Sequence, residues 1–353
     1  MGKDGLATGE LREPGAYKVL NTMTPTGGRE VLGLRTGADP DPPATTAERE
    51  TDKLTIRKGL DHCASLGITS LHAMDGNFYQ LELLEEIDAQ GHLTVRSMIP
   101  YHFMNHMPMS NLDLASEMHR RWRSERVHSG FVKLFMDGVI DSSTAFMLAD
   151  YEDAPGVRGL PWFEAEAFNA IATDVDRRGL QIAVHAIGDA AVRRTLDGYE
   201  AARRANGTRD SRHRIEHLES IDAADVPRFN ELGVIASMQP LHAPGVHFPL
   251  EPTVSRLGPK RLPLAYAWRT MREAGAHLSF ASDWPVCPVD PLLSIGAALT
   301  RGKLSPDCPD HRQTLMEALR GYTVDNAYAE FREHVKGRLV PGLLADIAVL
   351  SGD

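Results

Sequence analysis

Four residues combine types suited to gripping a cation with positions at or near the ends of apolar runs. They are Lys133 in "GFVKLFMDG", His185 in "LQIAVHAIGD", His217 in "RHRIEHLES" and Asp283 in "HLSFASDWPV". Neutral histidine offers a ring nitrogen to a divalent metal, and aspartate offers a carboxylate that both coordinates and accepts a proton. Lys133 lies between Val132 and Leu134 in a run that reads as a buried strand. An ammonium there needs a carboxylate partner, such as Asp137, or conversion to another group. One such conversion is reaction of the neutral amine with carbon dioxide, which gives a carbamate with two bridging oxygens. Water on a divalent metal ionises near neutral pH, and the metal polarises a carbonyl oxygen. The chemistry expected is hydrolytic C–N cleavage, with Asp283 taking the proton from the attacking water and passing it to the departing amine. Lys133 as a Schiff-base nucleophile of a lyase would leave the two histidines and Asp283 without a purpose.

These side chains need a scaffold that brings strand ends together, and the chain supplies one from about residue 49. Strand-like runs "ITSLHAM", "LTVRSMIPY", "GFVKLFMDG", "LQIAVHAIGD", "HRIEHLES", "VIASMQPLHA" and "AHLSFASDWP" alternate with helical stretches, many of them closed by glycine. Such alternation predicts parallel strands in an α/β barrel or open sheet. The strands number seven, one short of a TIM-type (β/α) barrel, in which C-terminal strand ends converge on a single mouth. Residues 1–48, rich in Gly, Pro, Thr and charge, read as an arm leading to a helix capped by Thr45 or Thr46. Residues 49–330 form the barrel domain, and 331–353 a C-terminal segment in which Ala345 to Leu350 alternates weakly as an isolated strand.

The bulk properties narrow the partners. A chain of 353 residues can bury a large core in one main domain. Its net charge of −10 argues against nucleic acid or anionic membrane and leaves small amide substrates open. Cys63, Cys287 and Cys308 form no CxxC pair, so neither a disulfide framework nor a thiolate zinc site is indicated, and a reducing cytoplasm fits. No export signal or membrane span is expected, and a homo-oligomer stays open. A GxSxG elbow and a phosphate-binding glycine loop are both missing from the sequence. The Met residues of "SMIPYHFMNHMPMS" read as apolar lining and "RRWRSER" as a solvated helix face.

Taken together, "GITSLHAMDGN", "VKLFMDGVIDSSTAFML", "VHAIGDAAVRRTLDGYE", "RHRIEHLESI", "SMQPLHA", "SDWPVCPVDPL" and "GRLVPGLLADIAVL" resemble the amidohydrolase superfamily, in its family 3 branch with N-substituted formamide deformylase. The resemblance implies a divalent metal, zinc by expectation, with Lys133 as the carboxylated bridging lysine. It makes His185 and His217 ligands of one metal and Asp283 ligand and base at the other. It also implies an opening His-x-His strand and a leading part of a small β-sandwich that returns at the C-terminus. Of the 15 histidines no two are separated by a single residue, so at most one well-held metal is expected. The chain reads as an internal portion of a longer enzyme, the alternative being a truncated, inactive scaffold with exposed barrel edges. On the substrate side the expected residues are His72, Gln239 and His242. His102 and His106 follow the next strand, and Asp137, Gly138 and Ser142 to Thr144 shape the mouth loop. Arg269 and Tyr266 fit a structural role as well as a functional one.

Overall fold

A computed structural model describes residues 24–351, so the first part of the expected arm, residues 1–23, lies outside the described residues. Among the described residues there are nine short strands, because the second expected run is interrupted and a two-residue strand precedes the third. They are β1 (Ser70–His72), β2 (Arg96–Met98), β3 (Tyr101–His102), β4 (Val127–His128), β5 (Phe131–Phe135), β6 (Gln181–Ala186), β7 (Arg214–His217), β8 (Ile235–Met238) and β9 (His277–Phe280). Pro100 lacks an N–H and breaks the second run between β2 and β3, while Ser129-Gly130 separates β4 from β5. Hydrogen bonding orders β1-β2-β4 in one sheet and β3-β5-β6-β7-β8-β9 in the other, and every pairing is parallel. The two sheets follow each other through the broken strands, which gives the positional order β1, β2/β3, β4/β5, β6, β7, β8, β9. Among the described residues no strand pairs β1 with β9.

Helices cover the sheet because their apolar residues repeat at helical spacing. In Ala165–Arg177 the buried face is Phe168, Ile171, Ala172 and Val175. It packs on helix Asp189–Asn206, where a Cβ at Gly198 would come within 2.4 Å of the Phe168 ring, so glycine sets the distance between the helices. Helix Thr46–Ser65 starts at Thr45, one of the two expected caps. The Glu48 N–H donates to Thr45 Oγ1, and the Thr45 N–H donates back to Glu48. Two short helices, Leu315–Tyr322 and Val324–Ala329, lie against β9. There the Asn326 amide donates to the Phe280 carbonyl at 3.0 Å and the Tyr322 hydroxyl to that of Ala281 at 3.2 Å, so side chains satisfy carbonyls at this strand's end.

The C-terminal expectation fares differently. Residues 331–351 contain no strand, so the strand foreseen at Ala345 to Leu350 has no ladder among the described residues. An isolated strand has nowhere to send its backbone hydrogen bonds. The segment is anchored instead by Arg96, which donates to both oxygens of Asp346 at 2.7 and 3.2 Å.

Candidate metal centre

The parallel strands bring the predicted ligands to one mouth. Lys133 is on β5, His185 is on β6, His217 ends β7, and Asp283 follows β9. The His185 and His217 ring centroids are 4.4 Å apart, and the His217 ring stacks at 5.7 Å on that of His242. His242 Nε2 lies 3.6 Å from Asp283 Oδ2. One donor atom from each of His217, His242 and Asp283 falls within 4.8 Å of the others, so the tightest group includes a histidine assigned above to the substrate side. His217, Leu218 and Asp283 have φ of 81°, 53° and 58°, unfavourable for residues with a Cβ. Strain of this kind persists where the surrounding structure holds a side chain in a demanded direction.

Hydrogen bonds determine which ring nitrogen each histidine can offer, because a neutral imidazole has one donor and one acceptor. His185 Nε2 faces the Gly138 carbonyl at 3.0 Å, which leaves Nδ1 as its lone pair. His217 Nδ1 meets Gln239 Oε1 at 2.9 Å, which leaves Nε2. His242 Nδ1 lies 3.3 Å from Glu219 Oε1, and its buried Nε2 makes no hydrogen bond. Burial, helped by the charge of Lys133, pushes His185 down to about 3. Burial and the neighbouring His185, His242 and Lys133 hold His217 well below its ordinary value. Both are therefore neutral and competent as ligands at neutral pH. At His242 burial favours the neutral ring, but the Cys287 thiol, Glu219 and Asp283 outweigh it and push the group up to about 10. A proton and a cation compete for that nitrogen.

Lys133 is 1% exposed. Its Nζ donates to the Leu134 carbonyl at 3.1 Å and sits 3.7 Å from the centroid of the Phe135 ring. The ion pair with Asp137 allowed by the sequence does not form. Asp137 instead accepts N–H groups of Phe146, Ile187 and Gly188 at 2.8 to 3.0 Å, which fixes the mouth loop against β6. Burial depresses the Lys133 ammonium to about 8 against the opposing pull of Glu216, Asp283 and Asp75. Among these, Asp75 is a mouth residue that the sequence reading passed over. Burial raises it to about 6, with Lys133 opposing and Asp283 adding. Its signal was a carboxylate just past the strand in "SLHAMDG". Glu219, which carries His242 and also accepts the Tyr266 hydroxyl at 2.9 Å, was missed as well. Tyr266 thus has a place beside the site, whereas Arg269 is paired with Glu317 at 2.8 Å.

His72 is not with this group. Arg214 Nη1 lies 2.8 Å from its Nδ1, and Glu330 is 3.3 Å from its Nε2. Glu330 also meets His128 at 3.0 Å and pairs with Lys336. The remaining partner, Glu216, is 2.7 Å from Arg214. This charged cluster lies beneath the mouth, since Arg214 and Glu216 precede His217 on β7 and His128 precedes Lys133. His213 points elsewhere and meets Asp176 at 3.1 Å.

Parallel strands thus deliver ligand-type side chains to one mouth of an α/β fold. The chain belongs to the amidohydrolase family, whose profile matches residues 2–353. It is 37% identical over 232 residues to Protein LONG AFTER FAR-RED 3 of Arabidopsis thaliana, covering 65% of this chain and 39% of that protein. Identity is 28% to the putative amidohydrolase YtcJ of Bacillus subtilis (84% and 56% covered) and 25% to N-substituted formamide deformylase of Arthrobacter pascens (87% and 57%). The chain thus spans 39% to 57% of the length of these relatives. In structure it matches an uncharacterized metal-dependent hydrolase from Pyrococcus furiosus with a TM-score of 0.75 at 28% identity, covering 93% of this chain and 63% of that one.

Proposed function

We propose that this chain forms the barrel portion of a metal-dependent hydrolase that cleaves non-peptide amides of the N-formyl or N-acyl type, with zinc as the ion. Seven strand positions are read as a (β/α) barrel with one strand place open between β9 and β1. The observation that carries the proposal is Lys133, buried to 1% exposure beside two neutral histidines and without an ion pair among the described residues. A buried, weakly basic amine is the form that carbon dioxide converts to a carbamate, whose oxygens would hold the ion together with His185, His217 and Asp283. The free Nδ1 of His185, the free Nε2 of His217 and the unpartnered Nε2 of His242 fit a cation.

When bound, the ion would lower the pKa of water to about 7 and polarise the amide carbonyl. Asp283, whose carboxylate burial raises, accepts the proton as the water oxygen bonds to the carbonyl carbon. It delivers that proton to the nitrogen as the C–N bond breaks, so one amide and one water give an acid and an amine. Gln239 holds the His217 ring through Oε1 and keeps its amide N–H groups for substrate. The resemblance to a formamide deformylase supports the substrate class. Three cysteines without a disulfide fit a reducing cytoplasm, and no helix among the described residues is long and apolar enough to cross a membrane.

The test is a panel of N-formyl and N-acetyl amines assayed with and without chelator. Metal-dependent release of amine, abolished together with bound metal in Lys133→Ala and His185→Ala, is expected. Metal content unaffected by both substitutions would contradict the reading.

A further inference from the structure

We propose that His242 is a direct ligand of the cation, completing with His217 and Asp283 a three-residue set on the β7 to β9 side of the mouth. This rests on the reading of the mouth as a metal centre and adds a ligand to it. His242 is 6% exposed and its Nε2 is buried without a hydrogen bond, an arrangement that costs free energy unless something occupies the space in front of it. In that space is Asp283 Oδ2 at 3.6 Å. Bonds of about 2.1 Å in a tetrahedral site put donors roughly 3.4 Å apart, so this pair already stands close to ligand spacing. His217 is the third member, within the 4.8 Å that contains all three donor atoms.

The far side of the imidazole is built for the same purpose. Glu219 Oε1 lies 3.3 Å from Nδ1, and Tyr266 donates to the other oxygen of that carboxylate at 2.9 Å. A carboxylate behind a histidine fixes the tautomer and orientation of a metal ligand and raises its basicity. His217 at the end of β7 and His242 in the turn after β8 bring two ring nitrogens to Asp283. The other cluster of histidines and acid, His72, His128 and Glu330, differs in being compensated by cations, since Arg214 meets His72 and Lys336 pairs with Glu330.

Cobalt(II) titration of the chelator-treated chain, followed by visible absorption, tests the inference. The wild type is expected to bind one Co2+ with visible absorption distinct from that of aqueous Co2+. His242→Ala, with its fold checked by circular dichroism, is expected to bind at least 100-fold more weakly, and Glu219→Gln 10- to 100-fold more weakly. His242→Cys in a Cys287→Ser background is expected to recover binding and add a thiolate-to-cobalt charge-transfer band. Wild-type affinity and spectrum in His242→Ala, with binding lost in His217→Ala and Asp283→Ala, would overturn the ligand assignment and leave the metal centre standing. Weak binding in His242→Ala without a charge-transfer band in His242→Cys would make His242 a positioning residue and overturn ligation as well. No Co2+ binding by the wild type would remove the metal centre itself.

Discussion

Two layers of this α/β fold use the same residue types to opposite ends. In the lower layer Arg214 pairs with Glu216 and meets His72, and Glu330 meets His72, His128 and Lys336, although neither ring nitrogen of His128 makes a hydrogen bond. At the mouth Lys133 has no ion pair among the described residues, His242 Nε2 has no hydrogen bond, and three residues adopt positive φ. Buried charge that is fully paired holds elements in register; buried charge left open is costly and persists where a ligand uses it.

The largest effect is expected in the lower layer. Glu330→Ala leaves His72, His128 and Lys336 around an empty place and should cost about 3 to 5 kcal/mol in urea unfolding. The same carboxylate sets a pH dependence. Burial alone would raise Glu330, but the adjacent His128 and His72 and the charge of Lys336 hold it well below the ordinary carboxylate range. A depressed folded-state pKa stabilises above the unfolded value of about 4.3. Stability should therefore fall as the pH is lowered below about 5, and Glu330→Gln should flatten that fall.

A smaller effect of opposite sign is expected at the mouth. Lys133→Met replaces an unpaired buried ammonium by an apolar chain of similar length. It should stabilise the metal-free protein by roughly 1 to 2 kcal/mol, read as a higher urea midpoint in chelator, while metal binding is lost. Destabilisation comparable to that of Glu330→Ala would mean that Lys133 is a structural residue and would erase the distinction between the layers.

Much of this was legible in the sequence, for local reasons. Strand runs that carry Lys133, His185 and His217 or lead into Asp283 are contiguous patterns, and parallel topology makes neighbours of their C-terminal halves. What escaped depends on pairings between distant segments. Nothing in "SLHAM" shows that His72 will meet Arg214, 142 residues away, and Glu330 reads as an ordinary helix end. Glu219 and Asp75 follow ligand-bearing or strand-ending motifs, yet an acid after a strand is as often a turn residue. Their role emerges once the Glu219 carboxylate is seen behind His242. Asp137 shows the converse case. Its position near Lys133 suggested an ion pair, but three backbone N–H groups of Phe146, Ile187 and Gly188 claim it first.

The unsatisfied mouth is tested most directly by calorimetric titration of the chelator-stripped chain with zinc, alongside its thermal unfolding. One cation is expected to bind per chain, and the melting temperature to rise with free metal, by the equivalent of about 2.7 kcal/mol at 100 times the dissociation constant. No binding and no thermal shift at millimolar zinc would show that Lys133, His185, His217, His242 and Asp283 are gathered for some purpose other than holding an ion.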